Sequence, residues 1–310
     1  MSFLISILTS SNPELARLCY DSVTGQQRHD WDYHVLVDVN SRNPEHEGNI
    51  RNVLSGTNAE IVVTDSNGRP GKGHNSLIQL FRERLEFDYL VLIDGDDFLY
   101  PTAFHQLSKY LPASPQCLAV QTNDSLTREK REVRHANLGN DWQLVSWFDD
   151  CENWWSTHRM KNPFTEHIRV CATPARPILL HRSALAHLPR TAYGEEFRLY
   201  DDMIFFLNAC EAWYRRPTEF RLFFTSNTYI YLHNDMNPAS MSNATVDYDA
   251  EHSHFMKATQ SGFESIRRWQ LNELPHIQIS NPEGFGSAEK IAFAKLQTEA
   301  LDKTRLTPHG

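Results

Sequence analysis

Short runs of apolar residues alternate with amphipathic segments through the first third of the chain. The runs are rich in β-branched residues and recur roughly every 25 to 30 residues, which is the period of strand–helix–strand units. They are FLISIL at 3–8, YHVLVDV at 33–39, AEIVVTD at 59–65 and DYLVLID at 88–94. Because such crossover connections make successive strands parallel, we expect an α/β fold with a parallel, doubly wound sheet.

The segments between these runs have the apolar spacing of helices. NPELARLCYDSV has Asn12 as its predicted N-cap and Pro13 in its first turn, where these residues favour the start of a helix. PEHEGNIRNVL shows a weaker helical pattern. GHNSLIQLFRERL shows a clear one, with apolar residues at helical spacing at Leu77, Leu80, Phe81 and Leu85.

Acidic residues follow three of the predicted strands. Strand two ends at Asp38, strand three ends at Asp65, and strand four runs into Asp94, Asp96 and Asp97. In sheets of this kind, ligands bind outside the carboxyl ends of the strands. One Asp-Gly pair would usually be a solvated turn, but this concentration indicates a cation site or hydrogen bonds to a sugar or base.

The sequence DGDD at 94–97 narrows the kind of ligand. In an extended segment, side chains two residues apart point the same way, so Asp94 and Asp96 can converge while Asp97 points elsewhere. Oxygen ligands with no His or Cys nearby suit Mg²⁺ or Mn²⁺, and a Mg²⁺ site is usually completed by substrate phosphates and water. The pattern therefore predicts a metal-bound nucleotide.

Composition and charge exclude several classes of protein. The 310 residues are 40% hydrophobic and 22% charged, which is typical of globular domains. A formal net charge of −9 disfavours nucleic acid or an anionic membrane as the main partner. The 5 cysteines form no CxxC pair, and no apolar run is long enough to span a bilayer. We therefore expect a soluble, unprocessed, cytoplasmic protein without a disulfide framework.

Four motifs resemble those of the GT-A fold glycosyltransferases of family 2. SILTSSNPELARLCYDSV is similar to the opening strand, loop and helix of that family, and HVLVDVNS is similar to its second strand. NGRPGKGHNSL resembles its glycine-rich turn leading to an Asn, and LVLIDGDDFLYPTAF resembles its DxD segment. The motifs have the family's order over about residues 3 to 110. The resemblance implies a GT-A fold, which is Rossmann-like with a mainly parallel sheet and flanking helices.

The same resemblance implies roles for the DxD residues. In the family this segment binds the divalent ion and the ribose of a nucleotide sugar. Asp94 would then face the nucleoside and share the metal with Asp96, and the expected metal is Mn²⁺ or Mg²⁺. Asp97 is either a second nucleotide contact or a cap before Pro101. UDP is the family's commonest donor nucleotide, so a UDP-sugar is the expected donor.

Further donor-side roles follow from the strand ends. Asp38 matches the position that meets the base, and the loop at Thr9, Ser10 and Ser11 follows strand one and packs on the base in the family. Asp65 is either a weaker match to a nucleotide contact or the cap of a turn.

The glycine-rich segment departs from the commonest family pattern, which has Arg immediately before Asn75. His74 occupies that place, while Lys72 and Arg69 lie upstream. Glycines permit close approach of the backbone, and a basic side chain can bind a diphosphate. Asn75 is itself part of the expected nucleotide site. The sequence leaves open which of the three basic residues contacts phosphate.

The second half of the chain is expected to supply the acceptor site and a general base. PILLHRSALAHL at 177–188 resembles the strand and short helix before the base, and YGEEFRLYDDMIFFLNACEAW resembles the helix with an acidic pair. The resemblance makes Asp202 the candidate base and Asp201 the alternative. Carboxylates at a helix N-terminus are also common because they favour the helix dipole.

Other candidates lie on the acceptor side. The strand TYIYL leads to His233, which the resemblance makes a third candidate metal ligand, although a lone His after a strand is more often structural. Ser240 and Ser242 in the next loop are weaker candidates. Indole rings can stack on sugars or fill a core, and four Trp residues are concentrated here: Trp142, Trp147, Trp154 and Trp155.

We predict three regions: a nucleotide-sugar-binding half at 1–110, an acceptor-binding half with a Trp-rich insertion at 111–246, and a helical C-terminal extension at 247–310. The extension would cover the main domain or make an oligomer contact. The implied activity is inverting, metal-dependent transfer of a sugar to an acceptor hydroxyl, by default on a glycan. The alternatives are a Mg²⁺-dependent nucleotidyl- or phosphotransferase, disfavoured by the missing glycine-rich arginine signature and P-loop, or an inactive sugar-nucleotide-binding protein.

Overall fold

The structure is a computed structural model in which two sheets are flanked by helices. It describes residues 1–10, 12–27, 29–64, 66, 68–108, 111, 117–121, 124–128, 136–146, 178–216, 219, 221–225, 228–232, 247–260, 278–280 and 287–304. The strands are β1 (Ser2–Thr9), β2 (Asp32–Val39), β3 (Glu60–Val63), β4 (Tyr89–Asp94), β5 (Phe98–Leu99), β6 (Cys117–Gln121), β7 (Asp124–Thr127), β8 (Ala136–Gly139), β9 (Trp142–Ser146), β10 (Ile178–His181), β11 (Arg221–Thr225), β12 (Tyr229–Leu232) and β13 (Gln278–Ser280).

The helices lie between and after these strands. They are α1 (Pro13–Thr24), α2 (Glu45–Val53), α3 (Pro70–Glu83), α4 (Ala103–Ser108), α5 (Asp201–Arg215), α6 (Tyr248–Gln260) and α7 (Ser287–Lys303), and a 3₁₀ helix spans Arg182–Ala186. None of the described helices combines the length and the apolar character needed to cross a membrane.

The larger sheet has eight strands in the order β13-β11-β6-β10-β4-β1-β2-β3. Strand β10 is antiparallel to both of its neighbours, and the other adjacent pairs are parallel. The smaller sheet has the order β5-β12-β7-β9-β8. The predicted α/β fold class, with a mainly parallel sheet and flanking helices, is confirmed.

The first four predicted strands and the first two predicted helices are present. Asn12 caps α1 as predicted, because its Oδ1 accepts from the N–H groups of Glu14 at 3.1 Å and Leu15 at 3.3 Å. The third helix differs from the prediction: it begins at Pro70, not at Gly73. Proline suits the first helical position because its fixed φ matches the helix. The predicted glycine-rich turn is therefore the first turn of α3.

The two faces of the large sheet are covered by different helices. Strand residues such as Leu36, Leu90 and Leu92 pack with α3 and α5 residues such as Phe81 and Phe205. The alternate strand residues pack with α1, α2 and α4, and include Ile5, Ile7, Val35, Val37, Val91 and Ile93. Because side chains two residues apart share a face, this alternation fixes which polar side chains at the strand ends lie toward α3 and α5.

The helices α6 and α7 pack on the rest of the chain, and strand β13, which lies between them in sequence, joins the larger sheet. Ala294 and Leu301 of α7 join a core with Trp142 of the smaller sheet. Phe255 of α6 joins a cluster with Tyr200, which immediately precedes α5. Both sheets contain strands from before and after position 110. The predicted region boundaries at 110 and 246 stay predictions.

Candidate active site

Two of the predicted carboxylates lie at the ends of strands on either side of β1. Leu8 of β1 pairs in register with Asp38 of β2 and with Asp94 of β4. By the two-residue period, both aspartates continue the face that packs on α3 and α5. The carboxyl ends of these strands therefore carry acidic groups on the same side of the sheet.

His74 connects Asp94 with the helix that carries the candidate base. Its Nε2 lies 3.0 Å from Asp94 Oδ1, and its Nδ1 lies 3.5 Å from Asp201 Oδ2. The imidazole stacks on Tyr193 with ring centroids 4.5 Å apart, and its side chain is 1% exposed. His74 therefore contacts two carboxylates inside the protein, which disfavours it as the contact to a diphosphate.

Asn75 and Arg69 hold the segment that leads to α5. Asn75 Nδ2 donates to the carbonyl oxygen of Tyr193 and to Glu195 Oε1, each at 3.0 Å, and Asn75 Oδ1 accepts from the Tyr193 N–H at 2.9 Å. Arg69 Nη1 donates to the Glu195 carbonyl oxygen at 3.1 Å. These residues thus join the donor side to the segment before the candidate base. Lys72 is half-buried in the first turn of α3.

Asp201 and Asp202 begin α5, as the sequence predicts, but their surroundings differ. Asp201 is 6% exposed and packs against the first turn of α3, where a Cβ on Gly71 would lie 3.0 Å from Asp201 Cβ. Asp202 is half-buried. The more accessible carboxylate of the pair is therefore that of Asp202.

The phenol of Tyr231 in β12 is affected by the negative charges of carboxylates from both halves of the chain. Burial raises the pKa of its phenol, and the charges of four carboxylates raise it further. These belong, in order of effect, to Asp97, Asp96, Asp94 and Asp202. The distances from His74 to Asp94, 3.0 Å, and to Asp201, 3.5 Å, agree with this, since they bring the start of α5 close to the DxD segment although the two are far apart in sequence.

The segment from Asp94 to Asp97 is a turn. Strand β4 ends at Asp94, and the Asp97 N–H donates to the Asp94 carbonyl oxygen at 3.2 Å. The turn packs closely on β1, because a Cβ on Gly95 would lie 2.8 Å from the Leu8 carbonyl oxygen. The extended geometry assumed for pairing Asp94 with Asp96 is therefore wrong, and any convergence of the two carboxylates comes from the turn.

Asp97 is fully buried and makes hydrogen bonds to β12. Its carboxylate accepts from the Tyr229 hydroxyl and, at 2.8 Å, from the Leu232 N–H. Burial raises the pKa of this carboxyl well above its ordinary value, and the charges of Asp96 and Asp94 add to that effect. Of the two predicted roles for Asp97, these contacts favour the structural one.

Asp38, the predicted base contact, is also fully buried. Its Oδ1 accepts from the Thr64 N–H at 3.1 Å and its Oδ2 from Thr64 Oγ1 at 2.8 Å. Burial raises the pKa of Asp38 from 3.8 to about 6, although the hydrogen bonds from Thr64 and the charge of His74 lower it. Thr9 is buried as well, with its Oγ1 3.3 Å from His46 Nε2. Both predicted base contacts therefore make hydrogen bonds within the protein.

Several candidates fall outside the described residues. They are Ser11, Asp65, His233, Ser240, Ser242, Trp147, Trp154 and Trp155. Trp142 is described and is 1% exposed. Its Nε1–H donates to Asp302 Oδ1 at 3.1 Å, and the Arg128 guanidinium lies 4.6 Å from its ring centroid. Trp142 therefore belongs to the core and does not present an exposed face for stacking.

The described residues offer a limited set of metal ligands. Within them, no three His, Cys, Asp or Glu side chains group closely enough to hold a metal ion. Asp94 and Asp96 provide oxygen ligands only. A bound cation would offset the negative charges of the carboxylates that raise the pKa of Tyr231. Such a pair fits Mg²⁺ or Mn²⁺ bound by one or two carboxylates and completed by substrate phosphates and water.

Three tyrosines of the site were not among the residues predicted from the sequence. Tyr193 stacks on His74, Tyr229 donates to Asp97, and the carboxylate charges raise the pKa of Tyr231. The alternation in TYIYL could have indicated that Tyr229 and Tyr231 share a face. Tyr193 lies in an irregular segment, where no periodic pattern could have indicated its contact with α3.

Comparison with known proteins finds likeness at the level of structure only. No protein-family model matches the chain, and no curated protein matches it. S. aureus TarS 1-349 in complex with UDP-GlcNAc is 14% identical over 79% of this chain and 62% of that chain, with a TM-score of 0.48.

Two other TarS structures give similar values. The complex of S. aureus TarS 1-349 with UDP is 14% identical over 75% of this chain and 61% of that chain, with a TM-score of 0.44. S. aureus TarS 1-349 without a named ligand is 13% identical over 88% and 79% of the respective chains, with a TM-score of 0.44. The chain thus spans less than two thirds of the first two structures. These values are too low to support a conclusion about activity.

Proposed function

We propose that the chain is a metal-dependent glycosyltransferase that moves a sugar from a nucleotide sugar, by resemblance a UDP-sugar, to an acceptor hydroxyl with inversion. The observation that carries the proposal is that the His74 imidazole lies 3.0 Å from Asp94 Oδ1 and 3.5 Å from Oδ2 of Asp201, the residue next to Asp202, and so brings the start of α5 to the DxD segment. The carboxylates of Asp94 and Asp96 are suited to binding the donor, and the carboxylate of Asp202 is suited to activating the acceptor. A transferase needs both at one site.

The donor side of the proposal rests on the sheet edge. Asp94 ends the central strand β4 and Asp96 follows it, at the carboxyl ends where α/β sheets bind ligands. They would hold Mn²⁺ or Mg²⁺ together with the diphosphate. The bound metal would neutralise the negative charge that develops on the leaving nucleoside diphosphate. Lys72, half-buried in the first turn of α3, is the basic residue that we assign to the diphosphate.

The acceptor side rests on the accessible carboxylate of α5. Inverting transfer needs a base to take the proton of the acceptor hydroxyl as its oxygen attacks the anomeric carbon. We assign this role to Asp202. Asp201 is buried and faces the imidazole of His74, so its carboxylate serves to join α5 to α3. A glycan is the proposed acceptor, and the cytoplasm is the proposed location.

Thermal unfolding with a panel of nucleoside diphosphates and nucleotide sugars, with and without Mn²⁺ or Mg²⁺, tests the proposal. A ligand at about 100 times its dissociation constant stabilises the folded state by roughly 2.7 kcal/mol. We expect a rise in the melting temperature that requires nucleotide and metal together, and that the Asp96→Asn variant loses.

The control is Asp249→Asn, which removes an exposed carboxylate of α6 and should keep the full shift. Release of a nucleoside diphosphate from the stabilising nucleotide sugar then distinguishes an enzyme from a binding protein. The absence of a metal-dependent shift with every nucleotide in the panel would reject the proposal.

A further inference from the structure

Helix α6 binds the segment that leads into the candidate base. Glu251 Oε1 accepts hydrogen bonds from two consecutive backbone N–H groups, those of Arg198 and, at 2.9 Å, of Leu199. The Tyr200 hydroxyl is 3.1 Å from His252 Nδ1. Three consecutive residues before α5 are therefore hydrogen-bonded to two consecutive residues of a helix more than 50 positions later, since the partners are 52 or 53 residues apart.

Apolar contacts support the same interface. Tyr200 stacks on Phe255 of α6 with ring centroids 4.7 Å apart and an interplanar angle of 17°. Phe197 meets Phe255 edge-on at 5.7 Å. Phe197 and Phe255 are fully buried, and Met203 and Leu207 of α5 belong to the same cluster. The half-buried side chain of Glu251 thus makes its hydrogen bonds beside a packed interface.

The beginning of α5 depends on contacts of this kind. Tyr200 is its N-cap residue, and its side chain makes no capping hydrogen bond to the described first turn. A helix without a side-chain cap has a less well fixed first turn. Asp201 and Asp202 are the first two residues of that turn. Their position therefore depends on the segment just before them as well as on the packing of Asp201 against α3.

That segment is held at both ends. At Tyr193 and Glu195 it is bound by Asn75 and Arg69 from the donor side. At Arg198–Tyr200 it is bound by α6. Asp202 lies two residues beyond Tyr200. Loss of the hydrogen bonds to α6 should therefore displace the proposed base, whereas the hydrogen bonds from Asn75 and Arg69 should remain.

We propose that Glu251 is a positioning residue for the transfer reaction: by binding the N–H groups of Arg198 and Leu199 it holds the first turn of α5, and with it the Asp202 carboxylate, in place for the acceptor hydroxyl. This inference rests on the proposed function. It gives the C-terminal helix α6 a role in the active site, in addition to covering the main domain.

The experiment compares Glu251→Ala, Glu251→Gln and Asp249→Ala by hydrogen exchange and by turnover. Loss of hydrogen bonds to a charged acceptor should speed exchange of the amides at 198–202 by about tenfold or more in Glu251→Ala. Glutamine keeps an acceptor oxygen, so Glu251→Gln should exchange more slowly than Glu251→Ala. Asp249→Ala removes an exposed acidic residue from the same first turn of α6 and should exchange like the wild type.

In the turnover assay, kcat of Glu251→Ala should fall on the order of ten- to a hundredfold because the base is misplaced. KM for the nucleotide sugar should stay unchanged, since the donor residues keep their places, and Glu251→Gln should recover most of kcat. A general loss of folding would instead change exchange throughout the chain.

Three results have separate meanings. Unchanged exchange at 198–202 in Glu251→Ala would overturn the proposal whatever the activity, and so would faster exchange with normal kcat. A wild-type protein that turns over no nucleotide sugar would reject the proposed function. The exchange data would still decide whether Glu251 holds the start of α5.

Discussion

His74 Nε2 lies 3.0 Å from Asp94 Oδ1, which joins the first turns of α3 to the end of the central strand β4. The other ring nitrogen lies 3.5 Å from Asp201 Oδ2 at the start of α5. One buried imidazole thus lies between two carboxylates that belong to the proposed donor and acceptor sides. Its burial also explains why the diphosphate is assigned to Lys72.

Replacing His74 with Ala should lower the free energy of unfolding by about 2 to 4 kcal/mol, because it creates a cavity, removes the hydrogen-bonding partner of Asp94 and removes the ring nitrogen 3.5 Å from Asp201 Oδ2. Denaturation by urea measures the change. His105→Ala, which removes an exposed His from α4, should have almost no effect. Equal stability of the two variants would contradict the structural role of His74.

The two aspartates at the start of α5, Asp201 and Asp202, should have different functions. Asp202→Asn keeps the size of the side chain and removes the base, so it should lower kcat by roughly 10²- to 10⁴-fold while donor binding is retained. Asp201→Asn should keep more of the turnover, since its carboxylate lies inside the interface with α3. Release of nucleoside diphosphate and calorimetric donor binding measure the two effects. The reverse order of activities would make Asp201 the base.

The buried Asp38 should make stability depend on pH. Its pKa is raised from 3.8 to about 6, so between these values the folded state holds a proton that the unfolded state has released. The contribution of Asp38 to the free energy of unfolding is fully present below pH 3.8 and is lost as the pH rises through 6. A pKa shift of this size corresponds to a loss of about 3 kcal/mol. Asp38→Asn should be more stable than the wild type at neutral pH and no more stable near pH 4.

The amide of this variant can still hydrogen-bond to Thr64, whose hydroxyl both donates and accepts. Asp32→Asn is the matched control, since Asp32 is exposed on the same strand. Denaturation curves at acidic and neutral pH measure both variants. A stability difference between Asp38→Asn and the wild type that is the same at both pH values would show that Asp38 does not titrate in this way.

The hydrophobic pattern was sufficient to predict the regular parts of the site. The apolar runs located β1 to β4 and placed Asp38 and Asp94 at the carboxyl ends of their strands. The acidic pair was placed at the start of its helix. In each case the element is long and periodic, so that local pattern and tertiary packing favour the same structure.

The parts that could not be predicted depend on contacts between distant segments. His74 was one of three candidate phosphate contacts, and its burial could not be predicted because it results from Tyr193 and Asp201, which lie more than a hundred residues away. The DGDD segment was treated as extended, but Gly95 packs on Leu8 and turns the chain. Glu251 could not be predicted, because its partners are backbone N–H groups and its helix was predicted to cover the main domain or make an oligomer contact.

The first turn of α3 should tolerate no side chain at Gly71. A Cβ there would lie 2.6 Å from the Gly194 carbonyl oxygen and 3.0 Å from Asp201 Cβ, so either the backbone or α5 must move. Gly71→Ala should therefore lower the free energy of unfolding by roughly 1 to 3 kcal/mol, despite the better helix propensity of Ala. Turnover should fall as well, because the displaced helix carries Asp202.

Gly48→Ala is the control for this substitution. Gly48 lies within α2, and nothing lies within 4 Å of the position that its Cβ would occupy. The free energy of unfolding should rise by roughly 0.5 to 1 kcal/mol, because Ala loses less backbone freedom on folding. Urea denaturation measures both variants. A stabilising effect of Gly71→Ala would show that α3 and α5 are less closely packed.

Helix α7 should depend on a buried ion pair for its attachment to the smaller sheet. Lys290 Nζ lies 2.7 Å from Asp124 Oδ2, which also accepts from the Tyr100 hydroxyl at 2.7 Å. Lys290→Met leaves the buried carboxylate without its cation, and such losses cost about 3 to 5 kcal/mol. Lys295→Met, an exposed change on the same helix, should cost almost nothing. Adding Asp124→Asn to Lys290→Met removes the uncompensated charge and should restore part of the lost free energy of unfolding. A double variant that is less stable than Lys290→Met would show that charge burial is not the cause.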